Sequence, residues 1–246
     1  MLKEKVTILV YAFPLLNQEE VLFARIASAI KRTWKFCGKL NTVVVASHRF
    51  QAVERFVSEN VNVKLQLEPS LIPGDIRTMS FDCITKLHER FSTPYVLVIQ
   101  DDGYPIREGL EEFVGKWDFI GASSVRDSRR WIMNLLGFPC MNGGFSLRSK
   151  RICRRAANAW NRWWRFFLNP TSRFFAEDTF YTLTACLGVG YRIGLKFPSM
   201  QTVFSFAYDS LNGLVSKPHD IKPFGIHGRS TQQMEHVLEG YSKNVL

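Results

Sequence analysis

Short aliphatic runs alternate with segments of helical periodicity through the first part of the chain, and few folds accommodate that alternation. Val6 to Ala12 ("VTILVYA") reads as a strand, and Gln18 to Trp34 as a helix whose apolar positions Val21, Leu22, Ile26, Ala29 and Ile30 fall near helical spacing. "LNTVVVAS" (40–47) is a second strand, "FQAVERFVSE" a short helix, and "VNVKLQLE" a third strand that alternates apolar and polar residues. Pro73, Gly74 and Asp75 form a loop able to cap a helix from Ile76 to about Phe91. Tyr95 to Ile99 then forms a fourth strand. Strand and helix in turn imply an α/β protein with a mostly parallel central sheet and helices on both faces. With 246 residues, 46% of them hydrophobic, the chain can bury one substantial core, and a single domain over 1–246 is expected.

Several classes are set aside on composition. The start, "MLKEKVTILVYAFPLL", has lysines before an apolar run but lacks a small-residue cleavage site and breaks at Pro14, so it reads as a first core strand. No run approaches the roughly 18 apolar residues of a membrane-spanning helix. The five cysteines are odd in number and show no CxxC spacing, which suggests neither a disulfide framework nor a zinc knuckle; a reducing compartment is expected. Net charge is +10, and from Ser128 to Ala176 there is no Asp or Glu while arginines accumulate. That region would attract polyanions: nucleic acid, an anionic membrane surface or phosphorylated small molecules.

The fourth strand ends on chemistry. "VLVIQDDGYP" (97–106) delivers Asp101 and Asp102 to the carboxyl end of a strand typical of a sheet centre, where open α/β sheets bind ligands. On these residues alone the pair is either an ordinary Asp-Gly turn or a site for a hard divalent cation. Downstream, "CMNGGFSLRSK" (140–150) puts Asn142, Gly143 and Gly144 before an alternating segment, which suits a β-bulge, a hairpin turn or a close backbone approach to a ligand. "FFAEDTFYTLTA" (174–185) sets Glu177 and Asp178 at the head of a helix, where acids also complement the helix dipole. "KPFGIHGRS" (222–230) holds His227 between glycines.

Taken in order, "QDDGYP", "FIGAS", "NGGFSLRSK", "AEDTFY" and "PFGIHG" resemble the pattern of the GT-A glycosyltransferases, and more closely an uncharacterised bacterial GT-A-like family related in pattern to enzymes that build surface polysaccharide. The motifs cover roughly residues 95 to 228. The resemblance implies a GT-A-like, Rossmann-like fold with a nucleotide-binding half (1–104) and an acceptor-binding half (105–246). It implies a hexosyltransferase-type enzyme, metal-dependent and inverting, that moves a sugar from a nucleotide-diphosphate donor to a hydroxyl of a saccharide or lipid-linked saccharide, such as bacterial lipopolysaccharide. By that resemblance Asp102 and His227 hold a divalent metal, and Asp101 joins them or holds a metal-bound water or the donor's ribose. Gln100 stands where the family pattern has an earlier acid. A mixed oxygen and imidazole set suits Mn²⁺ somewhat better than Mg²⁺. Asp178 matches the general base of inverting enzymes, with Glu177 orienting it or binding a sugar hydroxyl. Asn142, Gly143 and Gly144 would line donor and acceptor; Tyr11, Ala12, Phe13 and Arg77 are weaker candidates for the nucleotide. A cytoplasmic protein is expected, with peripheral attachment to the inner face of the membrane as an option.

That option rests on "RICRRAANAWNRWWRFFLNP" (151–170), where Ile152, Ala156, Trp160, Trp163 and Phe167 share one helical face. Such a helix either packs on the sheet or docks on an anionic membrane. Two other classes remain open. A nucleic-acid-binding module would use the same arginines and aromatics but gives Asp102, Asp178 and His227 no task, and nucleic acid is accordingly not the expected partner. A nucleotidyltransferase would explain the acids, yet normally brings a Gly-rich phosphate loop that "VYAFPLLNQ" lacks. A noncatalytic relative would account for Gln100.

Overall fold

The structure is a computed structural model that describes residues 1–15, 17–123, 141–162, 177–178, 180–181, 194–209 and 222–228. A short helix α1 (Leu2–Lys5) leads into β1 (Val6–Ala12); α2 (Glu19–Cys37) and α3 (Gln51–Glu59) then alternate with β2 (Thr42–Ala46) and β3 (Val63–Leu67). These strands pair in parallel, and α4 (Ile76–Thr85) returns the chain to β4 (Tyr95–Ile99), parallel to β1 on its other side. Because such crossovers are right-handed, the outward steps β1 to β2 to β3 put α2 and α3 on one face, and the return step puts α4 on the other. Every residue of β1 and β2 is buried, as expected of strands covered on both faces, whereas the edge strand β3 is largely accessible beyond Val63.

The remaining strands are β5 (Gly103–Pro105), β6 (Phe119–Ser123), β7 (Met141–Ser149), β8 (Ala207–Asp209) and β9 (Gly225–His227), with helices α5 (Lys150–Arg162) and α6 (Met200–Phe206). Among the described residues nine strands form one mixed, mostly parallel sheet in the order β3-β2-β1-β4-β7-β6-β8-β9-β5. β5 closes the far edge although only a tight turn separates it from β4, with Gln100 bridging Gly103. A sheet whose edge strand is tethered to its centre in this way must curl, and Asp101 and Asp102 are the tether.

The direction of β7 matters as much. It runs antiparallel to β4, with Val98 opposite Ser146 and Val96 opposite Arg148, so the first residues of β7 lie where β4 ends. Against β6 the register jumps from Gly121–Ser146 to Ala122–Asn142, and Gly143, Gly144 and Phe145 bulge out of the ladder. The Asn-Gly-Gly stretch is thus a bulge at the carboxyl end of the central strand.

Two sequence expectations need revision or completion here. The helix expected to reach Phe91 stops at Thr85, whose hydroxyl turns back to the Phe81 carbonyl at 2.7 Å; a 3-10 turn follows at Leu87–Glu89. Helix α5 buries Ile152, Ala156 and Trp160, with Trp160 edge-on to Phe81 of α4 at 5.7 Å and to Phe180 at 5.9 Å. Its apolar face is therefore spent on the core as far as Arg162, and Trp163 and Phe167 lie outside the described residues, as does most of the acid-free stretch. Among the described residues no helix is long and apolar enough to cross a membrane. Cys37, Cys83 and Cys153 are buried free thiols; Cys140 and Cys186 lie outside the described residues.

A charge network ties the end of β3 to α4. Arg90 pairs with both Asp82 and Glu68, and Lys86 Nζ donates to Glu68 Oε2 at 2.9 Å. Desolvation raises the Glu68 pKa, but hydrogen bonds from Ser70, Lys86 and Arg90 outweigh it and hold the carboxyl down at about 2, from an ordinary 4.5. A carboxyl with a depressed folded pKa stabilises the fold above its unfolded pKa and loses that contribution as pH falls through the folded value. Stability measured by urea unfolding should therefore decline between about pH 4.5 and 2, and less steeply in Glu68→Gln. Equal slopes in the two proteins would show that Glu68 contributes nothing to acid sensitivity.

Candidate active site

Curl and antiparallel register bring residues far apart in sequence to one point. His227, on β9, is buried and paired in register with both Gly103 of β5 and Asp209 of β8. Its Nε2 lies 3.1 Å from Gln100 Oε1 and 3.5 Å from Asp102 Oδ1. On the other edge of the ring, Nδ1 faces Asp209 Oδ1 at 3.7 Å, a charge contact too long for a hydrogen bond. Burial on its own would lower the His227 pKa, yet the carboxylates of Asp209, Asp102 and Asp178 outweigh it and raise it. Asp178 is thereby placed in the same electrostatic neighbourhood as the Asp102 end of β4.

The bulged glycines make the close approach possible. A Cβ on Gly144 would meet His227 Nε2 at 2.2 Å and Gln100 Oε1 at 2.3 Å; one on Gly143 would meet Glu177 Oε1 at 2.0 Å and Arg148 Nη2 at 2.7 Å. Asn142 stabilises the bulge locally, its Oδ1 accepting from Gly144 N at 2.8 Å while its Nδ2 donates to Asp209 Oδ2 at 3.1 Å. Backbone thus stands where any side chain would obstruct.

Behind the bulge sits a fully buried arginine. Arg148 donates through Nη2 to the Gly143 carbonyl at 3.2 Å and to Glu177 Oε1 at 3.3 Å, and its guanidinium faces Tyr181 at 4.7 Å and Phe119 at 5.4 Å. Ser80 of α4 donates to the other Glu177 oxygen at 3.1 Å. Glu177 and Asp178 are both helical and both buried.

Whether the residues suit a divalent cation can be judged from this geometry. Among the described residues no group of three or more His, Cys, Asp or Glu side chains is arranged to hold one. The reason is that Asp102 and Asp209 face opposite edges of one imidazole, and an imidazole lends a single nitrogen to an ion. On the Nε2 edge, however, Asp102 Oδ1, the Gln100 amide oxygen and Nε2 itself form an oxygen and nitrogen set. That set fits a cation that takes its remaining ligands from phosphate oxygens and water, with the Asp209 carboxylate facing the opposite edge of the ring.

The other sequence candidates fall variously. Asp101 turns away to Arg25 of α2, Nη2 to Oδ2 at 2.7 Å; burial and the Asp102 charge raise its pKa, with Arg25 opposing. Tyr11 is buried, its hydroxyl donating to Asp82 Oδ2 at 2.8 Å, and burial holds its pKa well above the ordinary value, so this side chain serves the core between β1 and α4. Ala12 is buried and Phe13 half-buried against the core. Arg77 pairs with Asp75 at the head of α4, Nη2 to Oδ2 at 2.6 Å. Asp209, Arg25 and Arg148 were not expected from the sequence. "FAYD" did offer a short aromatic strand ending in an acid, the same signal that marked Asp102.

The curled, mostly parallel mixed sheet with helices on both faces is a GT-A-like fold. Mouse xyloside xylosyltransferase 1, in its apo form, superimposes with a TM-score of 0.56 at 12% identity, over 91% of this chain and 98% of that one. The mannosyltransferase PcManGT from Pyrobaculum calidifontis, in complex with GDP-Man and Mn²⁺, gives a TM-score of 0.47 at 15% identity over 80% of this chain; the present chain spans about half of it, 55%. A comparison with curated proteins found no match. The chain belongs to the family described as "Protein of unknown function (DUF5672)", whose model matches residues 69–227.

The crowding at the bulge is directly testable. Gly144→Ala forces the His227 ring, the Gln100 amide or the bulge itself to move, and should cost about 1–3 kcal/mol in urea unfolding. An unchanged midpoint would show that the backbone does not approach His227 this closely.

Proposed function

We propose that this protein is a metal-dependent glycosyltransferase that moves a hexosyl group from a nucleotide-diphosphate sugar to a hydroxyl acceptor, with inversion. The observation that carries the reading is the convergence of Asp102, His227 and Gly144 at the carboxyl end of β4, with the buried Asp178 near enough for its charge to act on His227. An α/β sheet offers its ligand site there, and a binding module would have no use for a buried base and an imidazole between carboxylates. The wider GT-A fold adds support of a general kind.

Asp102 and the Nε2 edge of His227 would hold Mn²⁺ or Mg²⁺, with the Gln100 oxygen beside them in place of a second acid. A divalent cation bound there neutralises charge that grows on a departing diphosphate. Asp178 takes the proton of the acceptor hydroxyl as that oxygen attacks the anomeric carbon opposite the diphosphate. Asn142, Gly143 and Gly144 present backbone to the transferred sugar, while Arg25, held by Asp101 at the rim, supplies positive charge near the phosphates. Residues 1–104 would serve the nucleotide and 105–246 the acceptor. A saccharide or lipid-linked saccharide of a bacterial surface glycan is the proposed acceptor class, with the enzyme on the cytoplasmic side. Membrane attachment would fall to the exposed arginines of α5, since Trp160 is committed to the core.

A thermal-shift series with nucleoside diphosphates and nucleotide sugars, with Mn²⁺, Mg²⁺ or chelator, tests the reading. Ligand at 100 times its Kd adds about 2.7 kcal/mol to the folded state. One nucleotide should raise the unfolding temperature only with metal, and the rise should vanish in Asp102→Ala. No shift with any nucleotide, or one indifferent to both metal and Asp102, would refute it.

A further inference from the structure

Arg148 has no role in the chemistry just described, yet it is the largest fully buried side chain among the described residues. Burying a guanidinium is expensive, and a well-packed apolar residue in its place is often at least as stabilising, so its retention asks for a reason other than stability. The contacts supply one. Nη2 bridges the Gly143 carbonyl and Glu177 Oε1; Nε donates to Ser146 Oγ at 3.0 Å, and that hydroxyl donates to the same Gly143 carbonyl at 2.8 Å. Glu177 is held from its far side by Ser80, and the guanidinium packs against the adjoining rings of Phe119 and Tyr181. Nη1 makes no hydrogen bond, so every hydrogen bond the guanidinium forms goes through Nη2 and Nε, to the bulge carbonyl, Glu177 and Ser146. Gly143 lies against both members of the pair, with no room for a Cβ between them, so the bulge packs directly on the pair.

We propose that Arg148 is a positioning residue: clamped to Glu177, it fixes the Asn142–Gly144 bulge relative to the helix that carries Asp178, and so sets the distance between the sugar-facing backbone and the proton acceptor. The catalytic consequence rests on Asp178 being the base; the mechanical part does not. A carboxylate base displaced by about 1 Å can lose on the order of 100-fold in rate, so the effect should appear in kcat rather than in donor affinity.

The test compares wild type with Arg148→Met, Glu177→Gln, the double variant and Arg148→Lys. Arg148→Met alone strands a buried carboxylate and should be unstable; the double variant removes both charges and should regain stability. In the double variant, amide hydrogen exchange at Gly143, Gly144 and Phe145 should nonetheless be about tenfold faster or more, with β1 unchanged. Release of nucleoside diphosphate from UDP- and GDP-hexoses with Mn²⁺ should show kcat down about tenfold or more and KM within about threefold. Wild-type exchange and kcat in a stable double variant would overturn the proposal. Should the double variant not fold, Arg148→Lys decides: it keeps the charge but loses the planar fork, and an unchanged bulge would equally overturn the clamp. If wild type releases no diphosphate from any sugar, the glycosyltransferase reading fails on its own, and exchange at the bulge still decides whether the clamp exists.

Discussion

The antiparallel seam between β4 and β7 is the constraint on which the rest of the site depends. A parallel strand beside β4 would have carried its own carboxyl end to the aspartates and its amino end to the opposite rim. Because β7 runs the other way, Leu97 faces Leu147, and the start of β7 arrives beside Gln100. The bulge then frees Gly143 and Gly144 from the β6 ladder just where β4 ends. The turn at Asp101–Asp102 acts together with this seam. It tethers the far edge of the sheet to its centre, so β9 and its histidine are carried round to Asp102 in that same turn. Neither feature alone would bring Asp102, His227 and the glycines together.

A site assembled at a curled seam concentrates polar groups in a place that packing would otherwise fill with hydrocarbon. The structure manages this by dividing the acids. Glu177 is neutralised from behind by Arg148 and Ser80, Asp101 is drawn to Arg25, and Asn142 occupies one oxygen of Asp209. Breaking the buried Arg148–Glu177 pair by removing one partner would cost about 3–5 kcal/mol, since the other charge would remain inside. The aromatic walls matter for the same reason: Phe119 and Tyr181 offer π faces to a cation that water does not reach.

Much of the fold was legible because the central strands are covered on both faces and must read as unbroken aliphatic runs. The fully buried Val6–Ala12 and the Tyr95–Ile99 strand have the limits expected of them, and the first three crossovers follow in order. The Asp102, Asn142–Gly144, Glu177–Asp178 and His227 motifs were legible because each pairs unusual chemistry with a turn or strand end. Arg148 was not. In "FSLRS" the period of two puts Ser146 and Arg148 together on what reads as a solvent face, and only the helix bearing Glu177, packed over that face, turns it into an interior. Asp209 and Arg25 were hidden for a related reason: their significance lies in partners supplied by strand order and by the side of the sheet on which α2 falls, neither of which is local in sequence.

The two adjacent aspartates illustrate how far a motif carries and where geometry takes over. In a tight turn, successive side chains leave the backbone in different directions, so neighbours in sequence need not share a ligand. Asp102 faces the imidazole and Asp101 faces α2, and the oxygen that accompanies Asp102 on the Nε2 edge comes from Gln100, one residue before the pair. Gln100 is the last residue before the turn and bridges Gly103, so it is held by backbone pairing in the direction of β9 rather than by any charge. An amide is a weaker ligand than a carboxylate but also repels neither Asp102 nor Asp209. Where Asp102 and Asp209 already flank one histidine and Asp178 adds to their field, a neutral oxygen donor keeps the site from accumulating further negative charge. Where the motif has an acid, Gln100 therefore adds an oxygen beside Asp102 and His227 without adding charge.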